Sequence, residues 1–497
     1  HRPPCGTGCL GPRPPRWRGA IPRRTKIVAT IGPASDSPDV LRRLIEVGAD
    51  VIRIGLAHGT LDDAMARYRT VRAVSEELGR HIGVLIDLPG PKVRLGSFGD
   101  SPTILDTGAP LTLIPGRDTS DTSVLGVDYH NLLKDIHPGD HLPVGDGSVV
   151  IQVESVDGDA AKATVLYGGP VQGRPGLHIS SDRLSLSTPA PTDLHLLDAF
   201  VDEGVDMVAL SFVRSAHDIR RIGTEPHPRG PLVVAKIETR AAVENLQGII
   251  EASGAIMIAR GDLGTELGIE ELPHLQKQIT RDCISGGKPV ITATQMFESM
   301  ITSPTPTRAE VSDVANAIFD GTSAVMLSAE SAVGIDPVNA VATMSRVAER
   351  ADQEFDYDAW ARRIRHLRRS AVGNSSEDKL TDAMTAAAWR AATEMGVAAI
   401  ICISDSGLTV RSTARFRPAM PLIGFSPDDR TLRQLSLSWG TTTLRAPRHV
   451  DTIALMDDLI VQARDAGLVR PGQTVAVLAG AGSRSRSTDV LHLARVP

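Results

Sequence analysis

Short apolar runs recur along the chain, and each ends in polar residues. Leu232-Val233-Val234-Ala235 leads into Lys236-Ile237-Glu238, and Ala255-Ile256-Met257-Ile258-Ala259 leads into Arg260-Gly261-Asp262-Leu263-Gly264. Apolar runs of this length with polar bounds predict fully buried parallel strands. The same pattern predicts strands at residues 26–31, 51–54, 84–87, 207–211, 290–294 and 324–328. Amphipathic periodicity predicts helices between them. At about residues 37–47, Val40, Leu41, Leu44 and Ile45 share one face, and a longer helix covers about 61–78. Eight such strands with intervening helices predict an α/β fold, a (β/α)8 TIM barrel. A doubly wound sheet is the alternative; the unbroken succession of units favours closure.

The rhythm breaks at Pro89-Gly90-Pro91. From there to about Ser185 the runs are short and alternating, as in Val149-Val150-Ile151-Gln152-Val153, and are punctuated by Gly, Asp and Pro. This predicts an inserted β-rich lid domain over residues 89–185, overhanging the face where strands end. The barrel then comprises residues 23–88 and 186–360. A basic connector, 361–379, carries Arg362-Arg363-Ile364-Arg365 and reads as a solvated helix face. Residues 380–497 predict a C-terminal α/β sandwich domain with strands at 399–403, 421–425 and 474–478. Residues 1–22, rich in Pro, Gly and Arg, read as a disordered N-terminal extension without an apolar signal core.

Length and charge narrow the classes. A chain of 497 residues is long enough for about three domains. A net charge of −6 carries no nucleic-acid footprint, and no apolar run reaches membrane-spanning length. Four scattered cysteines fit a reducing, cytoplasmic setting and no disulfide framework.

The chemistry-bearing residues gather at strand ends: Arg53, Asp87, Lys236, Glu238, Asp262, Thr294 and Glu330. In a parallel barrel the carboxyl ends of the strands form the active face. Glu238 and Asp262 supply two hard oxygen ligands, the set with which proteins hold Mg²⁺ beside a substrate oxyanion.

In this order, the residues resemble the pyruvate kinase family. The resemblance rests on Thr25-Lys26-Ile27-Val28-Ala29-Thr30-Ile31-Gly32-Pro33-Ala34-Ser35, on Lys236-Ile237-Glu238 and on Ala259-Arg260-Gly261-Asp262-Leu263-Gly264. Lys288-Pro289-Val290-Ile291-Thr292-Ala293-Thr294-Gln295-Met296 and Pro306-Thr307-Arg308-Ala309-Glu310 extend it. It implies Mg²⁺-dependent phosphoryl transfer from phosphoenolpyruvate to ADP, giving pyruvate and ATP in glycolysis, with Mn²⁺ as a substitute metal. Lys236 and Arg53 are then the cations on the migrating phosphoryl group, and Glu238 and Asp262 the metal ligands. The backbone at Gly261-Asp262 suits the substrate carboxylate, and Thr294 lies near the carbon that is protonated. His58 and Arg94 match nucleotide positions, and Arg174 of the lid is a looser match. The family's usual assembly is a homotetramer.

One departure changes the expected cofactors. Potassium-dependent members carry an Asn and a Ser after the second strand and an Asp and a Thr after the third; here those positions are Gly55, Ala57, Asp87 and Leu88. Lys92 stands where those members carry an acid, as it does in potassium-independent members. A fixed ammonium in place of K⁺ predicts no potassium requirement. In the C-terminal domain, Ser404-Asp405-Ser406-Gly407 precedes a helix beginning near Thr409, at the position of the family's phosphorylated-effector loop. An N-cap loop is the plain reading of Ser404, Ser406 and Thr409, and Asp405 disfavours an anion. Two other activities remain open from sequence: a Mg²⁺-dependent pyruvate-enolate lyase or aldolase, and a catalytically weakened regulatory paralogue.

Overall fold

The computed structural model describes residues 23–367 except 146 and 182, and residues 376–447, 452–480 and 488–497. The N-terminal extension, the middle of the basic connector and most of the Gly-Ser-Arg loop near the C-terminus lie outside these residues.

Eight parallel strands close a barrel in chain order, each paired with the next, and Lys26–Thr30 pairs with Ala324–Leu327 to seal it. The doubly wound alternative is thereby excluded. The strands are Lys26–Thr30, Val51–Gly55, Gly83–Asp87, Met207–Leu210, Leu232–Ile237, Ala255–Ala259, Val290–Ala293 and Ala324–Leu327. Their continuous apolar character follows from burial on both faces: the first strand is buried at every position. Val28, Val51, Leu85, Ala209, Val234, Met257, Ile291 and Met326 form one cluster inside the barrel, into which Leu437 of the C-terminal domain inserts. Helices Pro38–Val47 and Leu61–Glu77 pack outside, with Ser37 and Thr60 as N-caps.

The insertion leaves after the third strand. Five strands, Pro110–Pro115, Val124–Val127, His141–Val144, Val149–Asp157 and Ala160–Tyr167, make one sheet, and Thr103–Leu105 pairs with Gly169–Val171 in a second. Leu113, Ile151 and Val165 belong to a core separate from that of the barrel.

The C-terminal sheet has five strands in the order Thr441–Arg445, Leu422–Ser426, Ile400–Ile403, Thr474–Ala479, Val490–Arg495, the last antiparallel. Its two edge strands escape the reading from apolar runs. Thr441-Thr442-Thr443 is polar, and Val490–Arg495 is only half-buried or exposed along its length. Helix Ser376–Met395 opens this domain a turn before Thr381. The domain seats on the amino-terminal end of the barrel: Lys26 Nζ donates to the Thr441 carbonyl at 2.8 Å, and Asp206 accepts from Arg433 at 2.7 Å. The carboxyl end of the barrel is left to the lid. No helix among the described residues is long and apolar enough to cross a membrane.

Candidate active site

Alternation along the strands fixes which residues reach the mouth. Side chains two apart point to the same face. Val28, Val51, Leu85, Ala209 and Val234 face the interior, so Thr30, Arg53, Asp87, Ser211 and Lys236 form the next layer up. These five are joined by hydrogen bonds. Arg53 donates through Nε to Asp87 Oδ2 at 2.8 Å and through Nη1 to Thr30 Oγ1 at 3.0 Å. Lys236 Nζ lies 3.3 Å from Asp87 Oδ1 and 3.0 Å from Glu238 Oε1, and donates to Ser211 Oγ at 2.7 Å.

This layer is the floor of a cavity of about 350 Å³ whose lining includes Arg53, Asp87, Lys236, Glu238, Asp262 and Thr294. Lys92 and Arg94 of the inserted segment line it, together with Gly55, Ala57, His58 and Leu88 of the barrel. Arg174 is not among the lining residues; its guanidinium pairs with Asp128 at 3.3 Å, and its carbonyl accepts from Arg94. Glu330 does not join the site either. Its buried carboxylate accepts from the Phe297 and Ser328 N–H groups, at 3.1 and 2.6 Å, and ties the seventh strand's loop to the eighth.

Electrostatics keep the floor charged. Burial pulls the Lys236 ammonium down, but Asp87 and Glu238 outweigh it and hold its pKa above the ordinary range. Burial pushes Asp87 up, and Lys236 and Arg53 together hold it below the usual carboxylate range. Glu238 is the opposite case: burial raises it, Asp262 adds to the rise, and Lys236 only partly offsets both. Its Oε2 is fixed by the Phe212 N–H at 2.7 Å, with Phe212 in the left-handed region at φ 54°. Such a conformation in an aromatic residue is strained and persists only where surrounding contacts impose it.

Two carboxylates lining one cavity, one of them buried and held above its ordinary pKa, fit a divalent cation. Among the described residues no group of three or more His, Cys, Asp or Glu side chains is placed to hold a metal. A hard ion bound by one or two carboxylates and completed by phosphate and water is the usual Mg²⁺ arrangement, so the donor set fits Mg²⁺. Lys92 Nζ lies 3.3 Å from Asp262 Oδ1 and reaches this pair across the cavity. Burial, then Arg94, Arg53 and Lys92, keep His58 below its ordinary pKa.

The loop after the seventh strand has the tightest backbone. Thr294 and Gln295 both adopt positive φ, 67° and 52°. Thr294 Oγ1 accepts from the Gly261 N–H at 2.9 Å and donates to the Ala293 carbonyl at 2.7 Å. Buried Arg260 holds this turn. Its Nη2 donates to the Thr294 carbonyl at 2.7 Å and the Gln295 carbonyl at 3.1 Å, and its Nη1 pairs with Asp313 at 2.7 Å. Arg260, Ser211 and Thr30 were not among the expected site residues. Strand alternation carried the signal for Ser211 and Thr30; Arg260 stood at the polar end of its apolar run, but nothing local pointed it to the Thr294 turn. Gly90, at φ 69°, brings the lid hinge against the same layer; a Cβ there would meet Ser211 Cβ at 2.8 Å.

In the C-terminal domain, Thr409 is buried and its hydroxyl bonds Thr488 Oγ1 at 2.6 Å. Ser406 Oγ accepts from the Leu408 N–H at 3.4 Å, and the Ser404 N–H donates to the Phe425 carbonyl at 3.0 Å.

Comparison with known proteins covers nearly the whole chain. Residues 22–341 match the family model for the pyruvate kinase barrel domain, and residues 382–494 that for the pyruvate kinase alpha/beta domain. A pyruvate kinase of Agrobacterium vitis is 39% identical over 92% of this chain and 95% of its own length. One of Corynebacterium glutamicum is 38% identical over 95% of this chain and 97% of its own length. The crystal structure of a pyruvate kinase from Cryptosporidium parvum superposes with a TM-score of 0.86 at 29% identity, over 96% of both chains. With its barrel and its C-terminal domain both matched and relatives covered over nearly their full length, the chain belongs to the pyruvate kinase family and is a phosphotransferase.

Proposed function

We propose that this chain transfers the phosphoryl group of phosphoenolpyruvate to ADP on the layer formed by Arg53, Asp87, Ser211 and Lys236. The bond from phosphorus to the enol oxygen breaks, and a bond to a terminal oxygen of ADP forms. The enolate left behind takes a proton at carbon to become pyruvate. Negative charge spreads over the phosphoryl oxygens in flight, so the protein's task is to position reactants and present fixed cations. Lys236 supplies one, held protonated by Asp87 and Glu238. Arg53 supplies the second, oriented by two hydrogen bonds to Asp87 and Thr30. Glu238 and Asp262 would hold Mg²⁺, which when bound neutralises substrate oxygens.

The Gly261 N–H, engaged by Thr294 in this structure, is proposed to turn to the substrate carboxylate. The same exchange frees the Thr294 oxygen as an acceptor, and its hydroxyl, on turning from the Ala293 carbonyl, relays a proton through water. His58 and Arg94 are proposed to meet the nucleotide phosphates. Arg174 would do so only by leaving Asp128.

Independence from potassium is proposed on Lys92, whose ammonium enters the cavity beside Asp262, together with the charges already around Asp87. Lys236 and Arg53 both pair with that carboxylate, and the oxygens expected at positions 55, 57 and 88 are absent. Ser404, Ser406 and Thr409 are proposed as an effector loop, and a homotetramer as the assembly, both on family resemblance; light scattering tests the latter.

The single observation that carries the mechanism is the Lys236 ammonium 3.0 Å from Glu238 and 3.3 Å from Asp87 at the cavity floor. The test is turnover of phosphoenolpyruvate with ADP and Mg²⁺, read by coupling pyruvate to lactate dehydrogenase. Turnover that depends on ADP supports the reading, and ADP-independent consumption of phosphoenolpyruvate overturns it.

A further inference from the structure

Opposite the active face, where the C-terminal domain meets the barrel, cations are buried in excess. Lys288, Arg411, Arg415, Arg417, Ser438 and Trp439 line a cavity of about 10 Å³, room for a single small occupant. Arg411 and Arg417 are 5% and 2% exposed. Arg415 is neutralised by an ion pair with Asp382. The other two arginines donate to neutral groups, and Asp352 acts on Arg417 at longer range. Arg411 Nη2 lies 3.0 Å from His227 Nε2 and donates to the Ser406 carbonyl at 2.9 Å. Arg417 donates to the Ala414 and Gly321 carbonyls at 2.8 and 2.7 Å, and its guanidinium stacks over Trp439. Among the described residues, Arg411 Nη1, Arg417 Nε and Ser438 Oγ are buried without a hydrogen-bond partner.

Buried donors are normally satisfied, and buried charges normally paired. Three unsatisfied polar atoms around one small cavity, two of them on guanidinium groups, describe a receptor for a compact anion. We propose that this interdomain cavity binds a halide-sized inorganic anion, chloride in physiological buffers, between Arg411, Arg417 and Ser438. The neighbourhood is electropositive by independent signs. Burial, then the charges of Arg411 and Lys288, hold His227 down to about 3. Burial alone pulls Arg411 down to about 10, and no carboxylate among the described residues acts on it. An anion here joins two elements of the C-terminal domain, the helix Leu408–Ala414 with its following turn and the Ser438-Trp439 turn, at their contact with the barrel. Its binding therefore stabilises domain docking, not chemistry at Lys236.

The test is crystallographic and uses the full chain. Crystals are soaked in sodium bromide and the bromide anomalous signal is mapped. A peak within hydrogen-bond distance of Arg411 Nη1 and Arg417 Nε is expected. No peak there, in crystals where bromide populates surface sites, overturns the proposal. In solution, Tm should be higher in sodium chloride than in sodium gluconate of equal ionic strength, and Arg411→Met should abolish both that difference and the bromide peak. A peak unchanged in Arg411→Met marks an adventitious ion only and overturns the assignment. If Arg411→Met does not fold, the map of the parent protein and that of Ser438→Ala, where the peak should weaken, decide the question.

Discussion

Replacing Lys236 by Met removes one positive charge and keeps most of the side chain's bulk. The local consequences can be followed atom by atom. Asp87 keeps Arg53, whose Nη2 is 2.7 Å away, so it stays paired. Glu238 keeps only the Phe212 N–H and loses the cation at 3.0 Å, beside a second carboxylate that already disfavours its charge. Leaving one member of a buried pair uncompensated costs about 3–5 kcal/mol, and retention of the Phe212 bond places the loss at the lower end of that range. Tm should therefore fall without loss of folding. The catalytic loss is separate. Deleting one donor aimed at developing charge costs about 10²–10³ in kcat, about 2.7–4 kcal/mol, and a full charge in a buried site belongs at or beyond the upper end. Because the interaction is strongest in the transition state, kcat and kcat/KM should drop together, with a smaller change in KM for phosphoenolpyruvate. The coupled lactate dehydrogenase assay at saturating Mg²⁺ reads both constants, and circular dichroism confirms folding. A folded variant with kcat within about threefold of the parent, less than 1 kcal/mol, refutes the role given to Lys236.

Activity in sodium-only buffer should match that in potassium, and Lys92→Glu should lose turnover that potassium partly restores; a parent enzyme that needs potassium sinks the charge-replacement reading. Arg260→Lys should lower kcat about tenfold or more while leaving phosphoenolpyruvate KM little changed, since one ammonium cannot bridge the Thr294 and Gln295 carbonyls and Asp313 as a guanidinium does; unaltered kcat contradicts the positioning role. Glu266, 1% exposed at its side chain, accepts from Ser181 and lies 3.1 Å from His178 of the lid segment. Burial raises its pKa, but the His178 and Ser181 bonds outweigh this and hold it below the usual range. Its contribution is thus complete above about pH 4–5, the unfolded value, and is lost as pH falls through the depressed folded value. Glu266→Gln should flatten the acid limb of the Tm–pH profile there, and an identical limb rules out a contribution from the Glu266 contacts to His178 and Ser181. Gly321→Ala should destabilise by about 2–4 kcal/mol, because φ is 97° and the added Cβ would meet the buried Trp360 ring at 2.2 Å; an unchanged midpoint in urea unfolding would show that the ring gives way freely.

Much of this protein was legible without coordinates, for a definite reason. Strands buried on both faces must be apolar throughout, so the eight barrel strands stood out as runs, and the polar residues ending them marked the mouth. The same physics hid the edge strands Thr441–Arg445 and Val490–Arg495, which face solvent on one side and carry no such run. Residue type at strand ends marked Lys236, Glu238, Asp262 and Arg53 as candidates, and the family resemblance supplied the metal and cation roles expected of them. Tertiary structure decided what each one touches. Asp87 became the shared counter-ion of Arg53 and Lys236, Lys92 reached across to Asp262, and Glu330 turned inward as a backbone anchor. Arg174 was drawn to Asp128, and Arg260 was recruited to hold a strained turn that lies more than thirty positions away in sequence. Contacts of that kind depend on distances between segments remote along the chain, and local pattern carries no record of them. Patterning sets which face of each strand is buried; only closure of the barrel and docking of the other domains set which charges meet.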